Sequence, residues 1–142
     1  MLRVKHLLIA KGHEIWTVEA EDPVLEAIQV MADREVGALP VMRGPELVGI
    51  VSERDYARKV ILLGRSSGET PVWQIMSSPV LTVTPEDTVS HCMQLVTEQR
   101  VRHLPVVDRG HLVGLVSIGD LVRAVIEEQQ ETIVQLQQFI TS

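Results

Sequence analysis

The chain has 142 residues, 45% of them hydrophobic but only 3% aromatic, so any core must be built from Val, Leu, Ile, Met and Ala. Its formal charge of -6 at pH 7 argues against a nucleic-acid partner, because neutralising a phosphate backbone needs a surplus of Lys and Arg. The single cysteine, Cys92, excludes an intramolecular disulfide, and no apolar run approaches the ~20 residues that span a bilayer. These features point to a cytoplasmic protein with no membrane attachment.

In chain order, Val4, Leu7 and Leu8 predict a short helix ending near Gly12. A strand over Trp16–Val18 leads to a helix for which Asp22 is the expected N-cap and Pro23 the first helical residue. That helix carries Val24, Ala27, Ile28 and Met31 on one face. The strands Ala38–Met42 and Leu47–Val51, joined through Arg43-Gly44-Pro45, form a hairpin, and Ser52 opens a second helix. Gly64 to Glu69 is a polar loop, followed by one helical turn around Val72, Ile75 and Met76.

The same series then recurs. It comprises a strand over Val80–Val83 and a helix capped at Thr84, with Pro85 first and Asp87 third. That helix carries Val89, Cys92, Met93 and Val96. The hairpin His103–Val107 and Leu112–Val116 turns at Asp108-Arg109-Gly110, and another helix starts at Ser117. Toward the C-terminus Ile126, Gln129, Ile133, Leu136 and Ile140 fit a heptad seam. One amphipathic helix cannot hide that stripe alone, so it either folds back on the core or packs against a second subunit.

The recurrence is a duplication. Shifting the sequence by 65 positions aligns Val18–Val60 with Val83–Val125 without a gap, and 17 of those 43 pairs are identical. Each copy reads β-α-β-β-α, an α/β (α+β) unit. The first, with the N-terminal helix and the linker, occupies residues 1–68, and the second, with the C-terminal helix, occupies 69–142.

The residues able to carry chemistry sit at one repeated place. Gly49-Ile50-Val51-Ser52-Glu53-Arg54-Asp55 and Gly114-Leu115-Val116-Ser117-Ile118-Gly119-Asp120 each put Ser and Asp three apart at a helix start. Such a pair is close to a capping box and stabilises a helix start with no ligand present. The same geometry also suits a nucleotide. Free N–H groups at a helix N-terminus attract phosphate, and a carboxylate beside them can accept hydrogen bonds from both hydroxyls of a ribose.

Two β-α-β-β-α units, each with a Leu-Pro-Val strand (39–41 and 104–106) and a Gly-x-x-Ser-x-x-Asp turn, resemble a tandem pair of CBS (cystathionine β-synthase) domains. Ser52-Glu53-Arg54-Asp55-Tyr56-Ala57-Arg58-Lys59 looks especially like the small stand-alone bacterial members of that family. The resemblance implies a pair of pseudo-twofold-related repeats forming one module, with two clefts that take AMP, ADP, ATP, NAD(H) or S-adenosylmethionine, AMP foremost. Carried over by position, the first cleft uses Asp55 for the ribose, with Ser52 and Arg54 toward phosphate. Pro79, Val80 and Leu81, near Met76, lie along the adenine, and Arg102 and His103, ahead of Leu104-Pro105, reach the phosphates. The second cleft uses Asp120, Ser117 and Gly119, with Ile15, Trp16, Gly37 and Ala38 opposite. Gly119 replaces Arg54 there, and Gly37 and Ala38 replace Arg102 and His103, so the Asp55 cleft is expected to be the better phosphate binder.

The resemblance further implies a homodimer, an unidentified downstream protein partner and no catalysis. His6, His13, His91, His103 and His111 are scattered, without metal-ligand spacing. No nucleophile elbow, oxyanion loop or phosphate-cradling Walker loop is present. Arg58, Lys59 and Arg123 read as surface charge. The competing function is a ligand-free dimerisation or docking module, in which the Ser/Asp pairs are caps only.

Overall fold

The computed structural model describes residues 1–12 and 14–141. Helix α1 (Val4–Lys11) is closed by Gly12, whose N–H donates to the Leu8 carbonyl. The first repeat then contributes β1 (Val18–Glu19), α2 (Val24–Arg34), β2 (Ala38–Arg43), β3 (Glu46–Ser52) and α3 (Glu53–Tyr56). Helix α3 runs on as one π-helical turn, Ala57–Ile61, and a 3-10 turn follows at Val72–Gln74. The second repeat contributes α4 (Val89–Gln99), β4 (His103–Asp108), β5 (His111–Ser117) and the long α5 (Ile118–Thr141).

The hairpins of the two repeats share one register. Strands β2 and β3 pair antiparallel with Pro40 opposite Ile50 and a bulge after Val41. Strands β4 and β5 do the same with Pro105 opposite Leu115 and the bulge after Val106. In each strand the residues facing the helices are fully buried: Leu39, Val41 and Val51 in one repeat, Leu104, Val106 and Val116 in the other. The helices bury the expected stripe, Val24, Ala27 and Met31 on α2 and Val89, Cys92 and Val96 on α4, with Ile28 and Met93 packed at its margin. Helices α2 and α4 both end on a left-handed residue, Glu35 (φ 55°) and Arg100 (φ 54°).

Two helix starts and two strands differ from the sequence reading. Asp22 does not cap α2: Pro23 occupies the N-cap position, and the Asp22 carboxylate instead accepts the Glu19 N–H at 3.0 Å. The second copy behaves alike, Asp87 accepting the Thr84 N–H at 2.7 Å, and α4 starts four residues later than expected under a Thr88 cap. A short acidic side chain that can close a local turn on its own backbone wins over a cap one residue further on. The first-repeat strand is reduced to Val18–Glu19, parallel to Val41–Met42, and Val80–Val83 leaves only a single bridge from Val83 to Val106.

The packing does not divide the chain where the duplication does. One compact unit comprises Glu14–Leu81, and the other joins Met1–His13 to Thr82–Ser142. Each repeat is sealed by a segment outside the duplicated span. In the first unit Val72 N–H donates to Asp22 O and Trp73 N–H to Ala20 O, while Val24 N–H donates to Thr70 O. In the second, Val4 N–H donates to Asp87 O, Lys5 N–H to Pro85 O and Val89 N–H to Leu2 O. Residues 2–8 thus do for the second repeat what 70–76 do for the first. Val4 and Leu7 fill the second core as Val72 and Ile75 fill the first.

Candidate functional site

The corner between hairpin and helix is built identically in both repeats. Ser52 caps α3: its Oγ accepts the Asp55 N–H at 3.1 Å, and Asp55 Oδ2 in return accepts the Ser52 N–H at 3.0 Å. At the start of α5, Ser117 Oγ accepts the Asp120 N–H at 3.1 Å and Asp120 Oδ2 accepts the Ser117 N–H at 2.8 Å. A backbone bond ties each corner to the residue just ahead of its hairpin's first strand, Glu53 N–H to Gly37 O (3.1 Å) and Ile118 N–H to Arg102 O (2.8 Å). Both carboxylates are therefore capping partners, each fixed in orientation with its side chain only 14% exposed. The cap commits one oxygen, Oδ2, and leaves Oδ1 for another partner.

Each carboxylate also meets a lysine. Lys59 Nζ lies 3.3 Å from Asp55 Oδ1 and donates to the Ile75 carbonyl at 2.9 Å, so it is part of the corner rather than plain surface charge. Lys11 Nζ donates to Asp120 Oδ2 at 2.7 Å and to the Leu115 carbonyl at 2.7 Å. Arg123 reaches the same carboxylate more loosely, 3.7 Å from Oδ1. The lysine and the serine hold the Asp120 carboxyl below the usual carboxylate range, outweighing the burial that would raise it.

Within the first unit, Met76 and Ser77 flank the strand that leads to Ser52. Ile50 and Ser77 exchange both backbone hydrogen bonds, and Met76 lies so close to Gly49 that no Cβ fits between them. Pro79, which follows a cis peptide bond, and Leu81 are exposed, with Val80 half-buried. Arg54 is exposed one residue before Asp55. Trp16 is half-buried, with the Arg34 guanidinium 3.9 Å over its ring. Ile15 and Gly37 are half-buried, and Ala38 is buried at the start of β2.

Within the second unit, Pro105 is buried in β4, Arg102 is exposed and Gly119 is exposed beside the Ser117 cap. His103 is half-buried at the start of β4. Burial lowers its pKa, Lys11 and Arg102 lower it further, and Asp120 only partly opposes them. Lys11 is the residue the sequence reading missed. Its only signal was its place in the last turn of α1 ahead of Gly12, and nothing at the equivalent distance from the first repeat repeats it.

Among the described residues, no group of three or more His, Cys, Asp and Glu could hold a metal ion, and no helix is long and apolar enough to cross a membrane.

The profile of the CBS domain matches the chain twice, over residues 8–61 and 72–127. The CBS domain-containing protein CBSX3 of Arabidopsis thaliana, a mitochondrial protein, is 44% identical over 136 residues. That match covers 92% of this chain but only 66% of the plant protein's length. The CBS domain-containing protein YhcV of Bacillus subtilis is 35% identical over 108 residues, 76% of either chain. In three dimensions, a CBS-domain protein of Burkholderia ambifaria ascribed to signal transduction superposes with a TM-score of 0.85 at 50% identity, covering 89% of this chain and 96% of that one. Two matched repeats, each ending in the same Ser/Asp corner, make this chain a member of the CBS domain family, carrying the domain as a tandem pair.

Proposed function

We propose that the chain is a non-catalytic regulatory module that binds an adenine nucleotide, AMP before NAD(H), ADP, ATP or S-adenosylmethionine, and passes the binding state to a partner protein in the cytoplasm. The observation that carries this reading is the doubled corner. In each repeat a carboxylate is pinned by its own helix cap beside a helix N-terminus, partly exposed. That arrangement suits a ribose hydroxyl at the carboxylate and a phosphate at the N–H groups. In the unit Glu14–Leu81 the reading assigns ligand contacts to Ser52, Arg54, Asp55, Met76, Pro79, Val80 and Leu81, and to Ile15, Trp16, Gly37 and Ala38. In the other unit it assigns them to Ser117, Gly119 and Asp120, and to Arg102, His103 and Pro105. Arg54, with Gly119 at the equivalent place, favours the Asp55 corner as the phosphate site.

The test is calorimetric titration of nucleotide-free protein with AMP, ATP, NADH and S-adenosylmethionine, repeated on Asp55→Asn and Asp120→Asn. Asparagine keeps an acceptor for the cap and removes the charge. Micromolar binding of one ligand, abolished by Asp55→Asn in a folded protein, supports the reading. Absence of binding by all four ligands refutes it.

A second reading is favoured by one feature of α5. Ile126, Ile133 and Ile140 are 48%, 54% and 79% exposed, and Ile118, Val122 and Ile126 line an open groove of about 610 Å³. The seam does not fold back on the chain's own core, and a second copy of this chain is the proposed occupant that hides it. Such a dimer is compatible with nucleotide binding and would also serve a docking module that binds none.

A further inference from the structure

The lysines at the two corners differ in origin and in grip. In the first repeat the cation is Lys59, one turn along from Asp55 on the same stretch of helix and 3.3 Å from its Oδ1. Ala124 stands at the equivalent position of the second repeat, so the duplication does not supply that charge twice. The second repeat takes its cation from α1 instead, and Lys11 sits 2.7 Å from Asp120 Oδ2. The contrast extends to the strand edge. The Ile50 carbonyl accepts the Ser77 backbone N–H at 2.9 Å, whereas its counterpart, the Leu115 carbonyl, accepts the Lys11 ammonium at 2.7 Å. Lys11 thereby replaces a backbone bridge and closes on the carboxylate with one group. A charge-assisted bond of this length is about twice as strong as a neutral one, and a hydroxyl that takes the oxygen must break it.

We propose that Lys11 is an internal competitor at the second repeat: its ammonium holds Asp120 Oδ2, and a ribose that takes both carboxylate oxygens must displace it. This rests on the nucleotide-binding reading and deepens it. The two sites then differ in grip, Lys59 standing 3.3 Å from Asp55 Oδ1 and Lys11, from the last turn of α1, 2.7 Å from Asp120 Oδ2. The second site fills only at higher ligand concentration, and filling it releases Lys11 from both Asp120 and Leu115. Position 11 therefore determines how far apart the two affinities lie.

Adenosine and AMP distinguish displacement from phosphate binding. The full chain, Lys11→Met and Lys11→Met/Asp120→Asn are titrated with each by calorimetry, and thermal unfolding confirms the fold; Lys11→Gln replaces the methionine variant if the latter is unstable. The expected result is that Lys11→Met tightens a second site for both ligands by about tenfold, the loss of roughly one charge-assisted hydrogen bond to the competitor. The double variant loses that gain, and the Asp55-dependent site is unchanged. An Asp55-dependent site that persists while Lys11→Met leaves the second site unaltered overturns the inference alone. Weaker AMP binding with unaltered adenosine binding also overturns it and makes Lys11 a phosphate ligand. Binding of neither ligand by any folded variant refutes the nucleotide reading together with this inference.

Discussion

Substituting Gly49 by alanine probes the contact that places the segment leading to Pro79, Val80 and Leu81. An added Cβ would overlap Met76 Sδ and lie 2.9 Å from Met76 Cγ and 3.1 Å from the Ser77 carbonyl. The methionine end can rotate away, but the carbonyl belongs to the bridge with Ile50 and cannot. Overpacking of this kind costs about 1–3 kcal/mol, and replacing a strand glycine returns about 0.5–1 kcal/mol of backbone entropy. The net expectation is a loss of about 1–2 kcal/mol, a fall in melting temperature of about 3–8 °C for a chain of this size. Met76→Ala removes the near atoms, so Gly49→Ala should cost less in that background, with a coupling of about 0.5–1 kcal/mol. Urea unfolding followed by circular dichroism on the four proteins measures it. A Gly49→Ala protein as stable as its parent, or costs that simply add, would refute the close approach.

Three further outcomes are expected. Cys92 is fully buried, and its thiol is pushed up to about 11, by burial first and by Asp87 second. A thiol reagent at pH 8 should therefore label it only after unfolding, and rapid stoichiometric labelling of native protein would contradict the packing of α4. His103 binds its proton less well folded than unfolded, so the unfolded chain holds more protons in this range and stability rises with pH. Its contribution is complete above the unfolded value near 6.5 and is lost as pH falls through the lowered folded value. Denaturation at pH 7.5 and 5.5 should show a smaller difference for His103→Gln than for the parent. Ile133→Glu, on the exposed seam of α5, should leave the melting temperature of the monomer unchanged while shifting the mass seen by light scattering from dimer to monomer; an unchanged mass counts against the seam as the dimer surface.

The duplication was legible because identity held register through both hairpins, where one buried face fixes the strand pairing. The Ser52/Asp55 and Ser117/Asp120 corners were legible for the same reason, and in both the Ser and Asp are joined as a helix cap. Helix starts at Asp22 and Thr84 were misplaced because an acidic side chain can close a turn or cap a helix, and sequence does not say which. Strands at 16–18 and 80–83 read as β-formers, yet each meets a partner over at most two residues. The sealing segments were invisible: Leu2-Arg3-Val4 and Thr70-Pro71-Val72 share one valine, and their equivalence lies in backbone hydrogen bonds that any residues can make. Lys11 escaped notice because its partner lies 109 positions away.

The way each repeat is sealed has a consequence for synthesis. The first unit is continuous, Glu14–Leu81, so it can close as soon as its last strand-flanking residues leave the ribosome. The second cannot. Val4 and Leu7 are made before the first unit and belong to a core whose other walls, α4, β4 and β5, are made after it. Those apolar residues must wait, exposed, through the making of an entire folded neighbour, and a nascent chain with such a delay is one that chaperones meet ahead of that neighbour.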